Sequence, residues 1–160
     1  MFGVQWDLVL KHLSNKGVSE SLLKTDSSTW GNYNNQPFEI NRGKYSVASP
    51  WNSFTAYTTA TASKVTVEEV EGEIVSTKIG TTDENVILLT TGVSDNNSKY
   101  NIYDLAGNVS EFTLERTSDT SYPCVARGGS FDTTGSSYTA SYRHKTGPTG
   151  LGSAFRSSLY

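Results

Sequence analysis

A chain of 160 residues and 17.4 kDa is long enough to build one domain around its own core. Charged residues make up only 18% and the formal net charge is −3, so no basic excess exists to hold a phosphate backbone, and nucleic acid is not an expected partner. The apolar runs are too short for membrane insertion, and a lone cysteine, Cys124, excludes an internal disulfide.

Taken in order, the chain first predicts a helix. Trp6, Val9, Leu10 and Leu13 fall at i, i+3, i+4 and i+7, with Leu8 beside them, and Gly17 stands where a C-terminal cap is expected. A second, shorter helix is predicted from Ser19 to Leu23, with Ser19 as its N-cap. No strand precedes the first helix and no charged segment leads into an apolar one, as a signal peptide would require. The expectation is the C-terminal part of a longer protein. From Trp30 to Trp51 the sequence is irregular, and the rings of Trp30, Tyr33, Phe38, Tyr45 and Trp51 suit long loops pinned by buried aromatics.

Strands are predicted near Lys64–Val70 and Glu73–Lys78, turning at Glu71-Gly72. The acids Glu68, Glu69, Glu71 and Glu73 fit a solvated face better than a catalytic cluster. Val86–Leu89 reads as a short buried strand and Asp95 to Ser98 as a turn. The run from Asn101 to Phe112 then alternates, turns at Ala106-Gly107-Asn108 and alternates again, which predicts a hairpin bracketed by Asp104 and Glu111. Pro123 to Ser130 reads as strand and turn. Residues 131–160 are built largely from Ser, Thr, Gly, Tyr and Ala.

Little of this is catalytic chemistry. No glycine pattern for a nucleotide sits between a strand and a helix. His12 and His144 have no second ligand at metal spacing, so zinc is not expected. No serine occupies a strained nucleophile turn, and Cys124 suits a small core position. Asp104 and Glu111, with carbonyls of their turn, are hard oxygen ligands of the kind calcium uses; a turn acid satisfying backbone amides is the alternative.

Three ordered motifs carry a resemblance. They are Tyr103-Asp104-Leu105-Ala106-Gly107-Asn108-Val109-Ser110-Glu111-Phe112, then Arg127-Gly128-Gly129-Ser130-Phe131, then Phe155-Arg156. Together they resemble the formylglycine-generating-enzyme-like (sulfatase-modifying factor) domain, whose main helix the segment around Gln5-Trp6-Asp7 also resembles. Departures are Ser110, Phe112 and Phe131 where tryptophan is usual, and Ala154 for glycine. The resemblance implies an α+β, C-type-lectin-like fold over residues 1–160, with short strands, one or two helices and much irregular loop.

For function the resemblance offers two branches. Its oxidases use a cysteine pair just after the Arg-Gly-Gly-Ser strand; Thr133 and Tyr138 stand at those positions, so no enzyme activity is expected. The other branch is the variable proteins of diversity-generating retroelements, which carry a hypervariable ligand surface at the C-terminus. Mutagenesis of template adenines in Asn codons never yields Lys, Glu, Gln, Met or Trp. Those five types occupy 22 of residues 1–130, a rate that places about five in the last thirty, where only Lys145 appears. A Tyr, Ser, Thr and Gly surface also resembles paratope chemistry.

The expectation is therefore a non-enzymatic recognition domain with a variable segment at 131–160. Its ligand-binding residues would be Phe131, Asp132, Thr133, Thr134, Ser137, Tyr138, Tyr142 and His144, with further candidates from Thr146 to Thr149. The ligand would be a protein or a surface glycan, and the location a phage virion or bacterial cell surface. An enzyme or accessory protein on the same fold, or a structural module of a tail or surface fibre, are the alternatives. No cofactor is required. The resemblance also implies a structural calcium ion held by Asp104 and Glu111 side chains and the Gly107 and Val109 carbonyls.

Overall fold

The computed structural model describes residues 1–35, 40, 42–46, 52–56, 67–70, 73–76, 87–95, 98–148 and 153–156. Phe38, Trp51, the Glu71-Gly72 turn, Val86, Asn96, Asn97 and Thr149 lie outside those residues, as do the side chains of Glu68, Glu69 and Glu73. The architecture is α+β, with two helices and short strands among the described residues. No helix among the described residues is long and apolar enough to cross a membrane.

The first helix, α1 (Gly3–Asn15), buries Trp6, Leu10 and Leu13, as the spacing predicts. Leu8 is instead on the exposed side, one residue out of the apolar stripe. The helix opens with the Gln5 side chain accepting from the Phe2 N–H (2.8 Å). It closes on Gly17 at φ +94°, where Gly17 N donates to Ser14 O and Val18 N to Leu13 O, a Schellman pair. The short α2 (Glu20–Lys24) starts from Ser19, whose hydroxyl accepts from Leu22 N. The two helices pack with Trp30, Tyr33, Leu105 and Ala140 into the larger core.

A three-stranded antiparallel sheet orders β2 (Thr55–Ala56), β1 (Lys44–Ser46) and β5 (Leu88–Leu89), over a second core of Ile40, Tyr45, Ile87, Leu89 and Val93. β3 (Val67–Val70) and β4 (Glu73–Ser76) pair antiparallel, in the predicted places. β6 (Ser98–Lys99) pairs antiparallel with β7 (Ile102–Tyr103). The largest sheet has the order β10-β9-β8-β11, built from β8 (Ser110–Arg116), β9 (Cys124–Arg127), β10 (Arg143–Thr146) and β11 (Ser153–Phe155). Its first three strands are antiparallel neighbours, and β11 lies parallel to β8 with Ala154 opposite Glu111.

The predicted hairpin over Asn101–Phe112 does not form. β7 returns on β6 through Tyr100 and Asn101, at φ 54° and 63°, which are the paired positive values of a two-residue type I′ loop. The Ala106-Gly107-Asn108 segment is instead a crossing between sheets. Gly107 makes a parallel bridge to Asn32, where a Cβ would meet Asn32 O at 2.4 Å. Asn108, at φ 61°, turns its side chain onto β5: Oδ1 accepts from Leu89 N and Nδ2 donates to Leu89 O, both at 3.0 Å. The amide thus stands in for one strand residue and stitches the two cores together.

Candidate functional site

The site is assembled from the loop that links β9 to β10. Arg127 ends β9 almost fully buried, its guanidinium 5.8 Å from the Trp6 ring centroid and ion-paired to Asp7 (2.6 Å) and Glu115 (3.4 Å). Gly128 and Gly129 follow at positive φ. At Gly129 a Cβ would meet Tyr138 O at 2.4 Å, so only glycine lets the loop fold back this closely. Ser130 N then donates to Thr133 Oγ1, which donates to Ser130 O, closing a tight turn.

From residue 131 to residue 141 the loop is held through its own backbone. Phe131 N donates to Asn108 O, and Thr133 O and Asp132 O accept from the backbone and side chain of Asn34. Gly135 N donates to Asn35 Oδ1 and Gly135 O accepts from Ser27 N. Ala140 N donates to Ser27 Oγ, Ala140 O accepts from Trp6 Nε1 (2.9 Å), and Ser141 N donates to Leu23 O. The groups that reach in belong to the helices, to residues 27–35 and to Asn108 of the crossing. Asn34 and Asn35, in the stretch read as an irregular loop, thus help to cradle residues 131–141, a role composition did not reveal.

The expected site side chains of the loop and of β10 divide by exposure and contact. Tyr138, Tyr142 and His144 come together: the two phenol rings meet edge-on at 4.7 Å between centroids, and His144 lies 6.3 Å from each. Both tyrosines are half-buried and His144 is exposed. Such ring pairs contribute about 0.5–1.5 kcal/mol beyond their buried area, enough to hold a rigid aromatic surface. Asp132 and Ser137 are exposed and Thr133 and Thr134 half-buried, with the Ser130 hydroxyl donating to Asp132. Phe131 departs from expectation. It is 8% exposed, inside the fold, and offers a ligand almost no surface. Thr146 is half-buried on β10, next to Gly147 and Pro148.

The carboxylates of the crossing face the other edge of the sheet. Arg156, just past β11, holds Glu111 at both oxygens, Nε to Oε2 at 2.9 Å and Nη2 to Oε1 at 2.5 Å. Nη2 also reaches the carbonyls of Tyr103 (2.9 Å) and Asp104 (3.3 Å). Burial raises the Asp104 and Glu111 carboxyls above the ordinary carboxylate range, against the Thr91 hydroxyl at Asp104 and the Arg156 charge at both.

This arrangement does not fit calcium at Asp104, Gly107, Val109 and Glu111. The ion needs six to eight oxygens, whereas the Glu111 carboxylate is already taken by a guanidinium that would repel it. We expect the melting temperature to be indifferent to a chelator; a fall that added calcium reverses would restore the calcium reading.

An α+β chain with a buried Arg-Gly-Gly-Ser turn beneath a backbone-anchored loop defines a scaffold of small sheets that carries its candidate site on irregular structure. The chain matches the sulfatase-modifying factor enzyme 1-like domain over residues 16–155 and belongs to that family. No curated protein and no solved structure matches it.

Proposed function

We infer that this is a non-enzymatic ligand-binding domain with a C-type-lectin-like fold, of the type found in diversity-generating-retroelement variable proteins. Its ligand surface is the loop 131–148 and the rest of the segment to residue 160, displayed on a phage virion or a bacterial cell surface. The observation that carries this reading is the anchoring of the loop by backbone atoms. Phe131 N, Asp132 O, Thr133 O, Gly135 N and O, Ala140 N and O and Ser141 N all bond to groups outside the loop. Side chains at 132, 134, 137, 138, 142 and 144 can therefore change without breaking these anchors, which is what a diversified surface needs, while the Thr133 hydroxyl also closes the turn at Ser130.

In this reading Tyr138 and Tyr142 are the anchors, rigid rings with little entropy to lose, and Asp132 and His144 supply polar selection. Thr133 and Tyr138 replace the cysteine pair that the resemblance assigns to the oxidases, and neither side chain is a thiolate nucleophile. Phe131, Gly135, Thr139 and Ala140 are buried and belong to the scaffold. The ligand is a protein or a surface glycan.

Sequencing this gene across sibling isolates or phage progeny tests the proposal. Substitutions are expected to cluster after Ser130, at exposed positions, and to spare the four buried ones. An even spread along the chain would sink it. Once a ligand is in hand, Tyr138→Ala with Tyr142→Ala should weaken binding at least about tenfold, with the fold unchanged by circular dichroism. Turnover of a cysteine-containing sulfatase peptide in a thiol-dependent oxidation assay would favour the enzyme branch instead.

A further inference from the structure

We propose that the end of the fold around Met1 is the interface of a two-fold dimer, its occupant a second copy of this chain. Among the described residues, eight large apolar side chains are exposed, and five of them gather here: Phe2, Val4, Leu8, Leu114 and Phe155. Two bonds bring them together. The Met1 ammonium donates to Arg156 O (3.3 Å), beside Phe155, and Leu114 N donates to Met1 O (2.9 Å), beside Phe2. Val4 begins the exposed side of α1, and Leu8 lies one turn further along it.

These side chains are outside for local reasons. α1 buries Trp6, Leu10 and Leu13, so an ordinary amphipathic helix would be polar on its other side. Val4 and Leu8, at i and i+4, make that side apolar too. In β8 a bulge does the same work. Thr113 pairs with Val125 and Arg116 with Cys124, which leaves Leu114 and Glu115 out of register. Glu115 turns toward α1, where its Oε2 lies 2.2 Å from the place a Gly3 Cβ would take. Leu114 turns to solvent.

The area matches half of a dimer. The five side chains are 52% to 83% exposed and together present roughly 500 Å² of apolar surface. One side of a standard interface covers about 800 Å², a little over half of it apolar, or about 450 Å². A two-fold axis supplies the other half from the same residues. The bordering charges permit that approach. Glu111 pairs with Arg156, and Asp7 and Glu115 pair with Arg127 and Arg143, all within the chain. A second copy therefore meets neutral pairs instead of like charges. Lys11 and Arg116 stand exposed further along α1 and β8, where a rim stays solvated. A second copy is also the one occupant supplied in equal number wherever the patch is made. The loop that carries Tyr138 and Tyr142 leads into β10, at the opposite edge of the sheet from β11. On the function inferred above, the pair then grips a repetitive surface at two points.

The test is sedimentation equilibrium of the whole chain from low to high micromolar concentration. We expect the mass to rise from 17.4 kDa toward twice that value, and the melting temperature to rise with concentration. Val4→Glu and Leu114→Glu each place like charges across the axis and should weaken association about tenfold or more. Both positions are exposed on separate elements, so circular dichroism should be unchanged and one variant serves if the other folds poorly. Tyr138→Ala should leave association unchanged, whatever becomes of the function proposed for that loop. Vesicles of phosphatidylcholine and phosphatidylglycerol, read by flotation, supply the competing occupant. A chain that stays monomeric at every concentration, that associates equally well with both substitutions, or that floats with the vesicles and is otherwise a monomer would overturn the proposal.

Discussion

Asn108→Ala is expected to lower stability by about 4 kcal/mol. The side chain is buried, and its Oδ1 accepts from both Leu89 N and Asn32 Nδ2 at 3.0 Å, while its Nδ2 donates to Leu89 O. Alanine strands the Leu89 N–H, the Leu89 C=O and the Asn32 side-chain amide in the buried interior. Each such group costs roughly 1–3 kcal/mol, and alanine at positive φ adds about 1 kcal/mol. Urea unfolding should show the midpoint falling with the slope unchanged. Asn108→Gly separates the two causes, since glycine removes the amide without the backbone strain. A loss below about 1 kcal/mol in both variants would mean the amide is not what joins the two cores.

Asp7→Ala is expected to cost about 3 kcal/mol, near the lower end for breaking a buried ion pair because Asp7 itself is 44% exposed. Its carboxylate divides between Arg127 (2.6 Å) and Arg143 (2.5 Å), tying α1 to β9 and to β10. Removing it leaves Arg127, 1% exposed, with Glu115 at 3.4 Å and a second guanidinium close by. Burial already pulls the Arg127 guanidinium below its ordinary pKa, and Asp7 is the main group that opposes this. For a chain of this size the loss corresponds to roughly 6–12 °C in melting temperature. Adding Arg127→Met to Asp7→Ala should recover part of it, because an apolar side chain in that place leaves no charge unpaired. A double variant no better than the single one would show that packing on Trp6, not charge, is what Arg127 contributes.

Much of the scaffold was legible in residues whose role is local. The apolar spacing of Trp6, Leu10 and Leu13, the Gly17 cap and the Ser19 N-cap each act within one or two turns, and each stands where the pattern placed it. The Asn101–Phe112 hairpin failed for the opposite reason. Its alternation was real, but a positive φ at Tyr100 and Asn101 closes an earlier turn, and the partners of Gly107 and Asn108 are Asn32 and Leu89. Nothing within a short window distinguishes a turn that returns a strand from one that hands the chain to another sheet.

The candidate surface was half legible. Motif resemblance located the loop, yet the buried place of Phe131 follows from its backbone bond to Asn108, and the meeting of Tyr138, Tyr142 and His144 from the fold-back at Gly129. Arg156 as the partner of Glu111 depends on the parallel register of β11 with β8, a contact 45 residues apart.

That parallel register also sets an order of events as the chain is made. Ser110 waits for Ser153, and between them lie β9, the whole candidate loop and β10. Until β11 is made, β8 presents an open edge, and the Arg127–Asp7 pair has already to bridge 120 residues. Contacts this distant close slowly and leave strands exposed to wrong neighbours meanwhile. Any side chain on the intervening loop must pass through that interval without trapping β8, so substitutions there act on the folding rate even where they leave the folded structure unchanged.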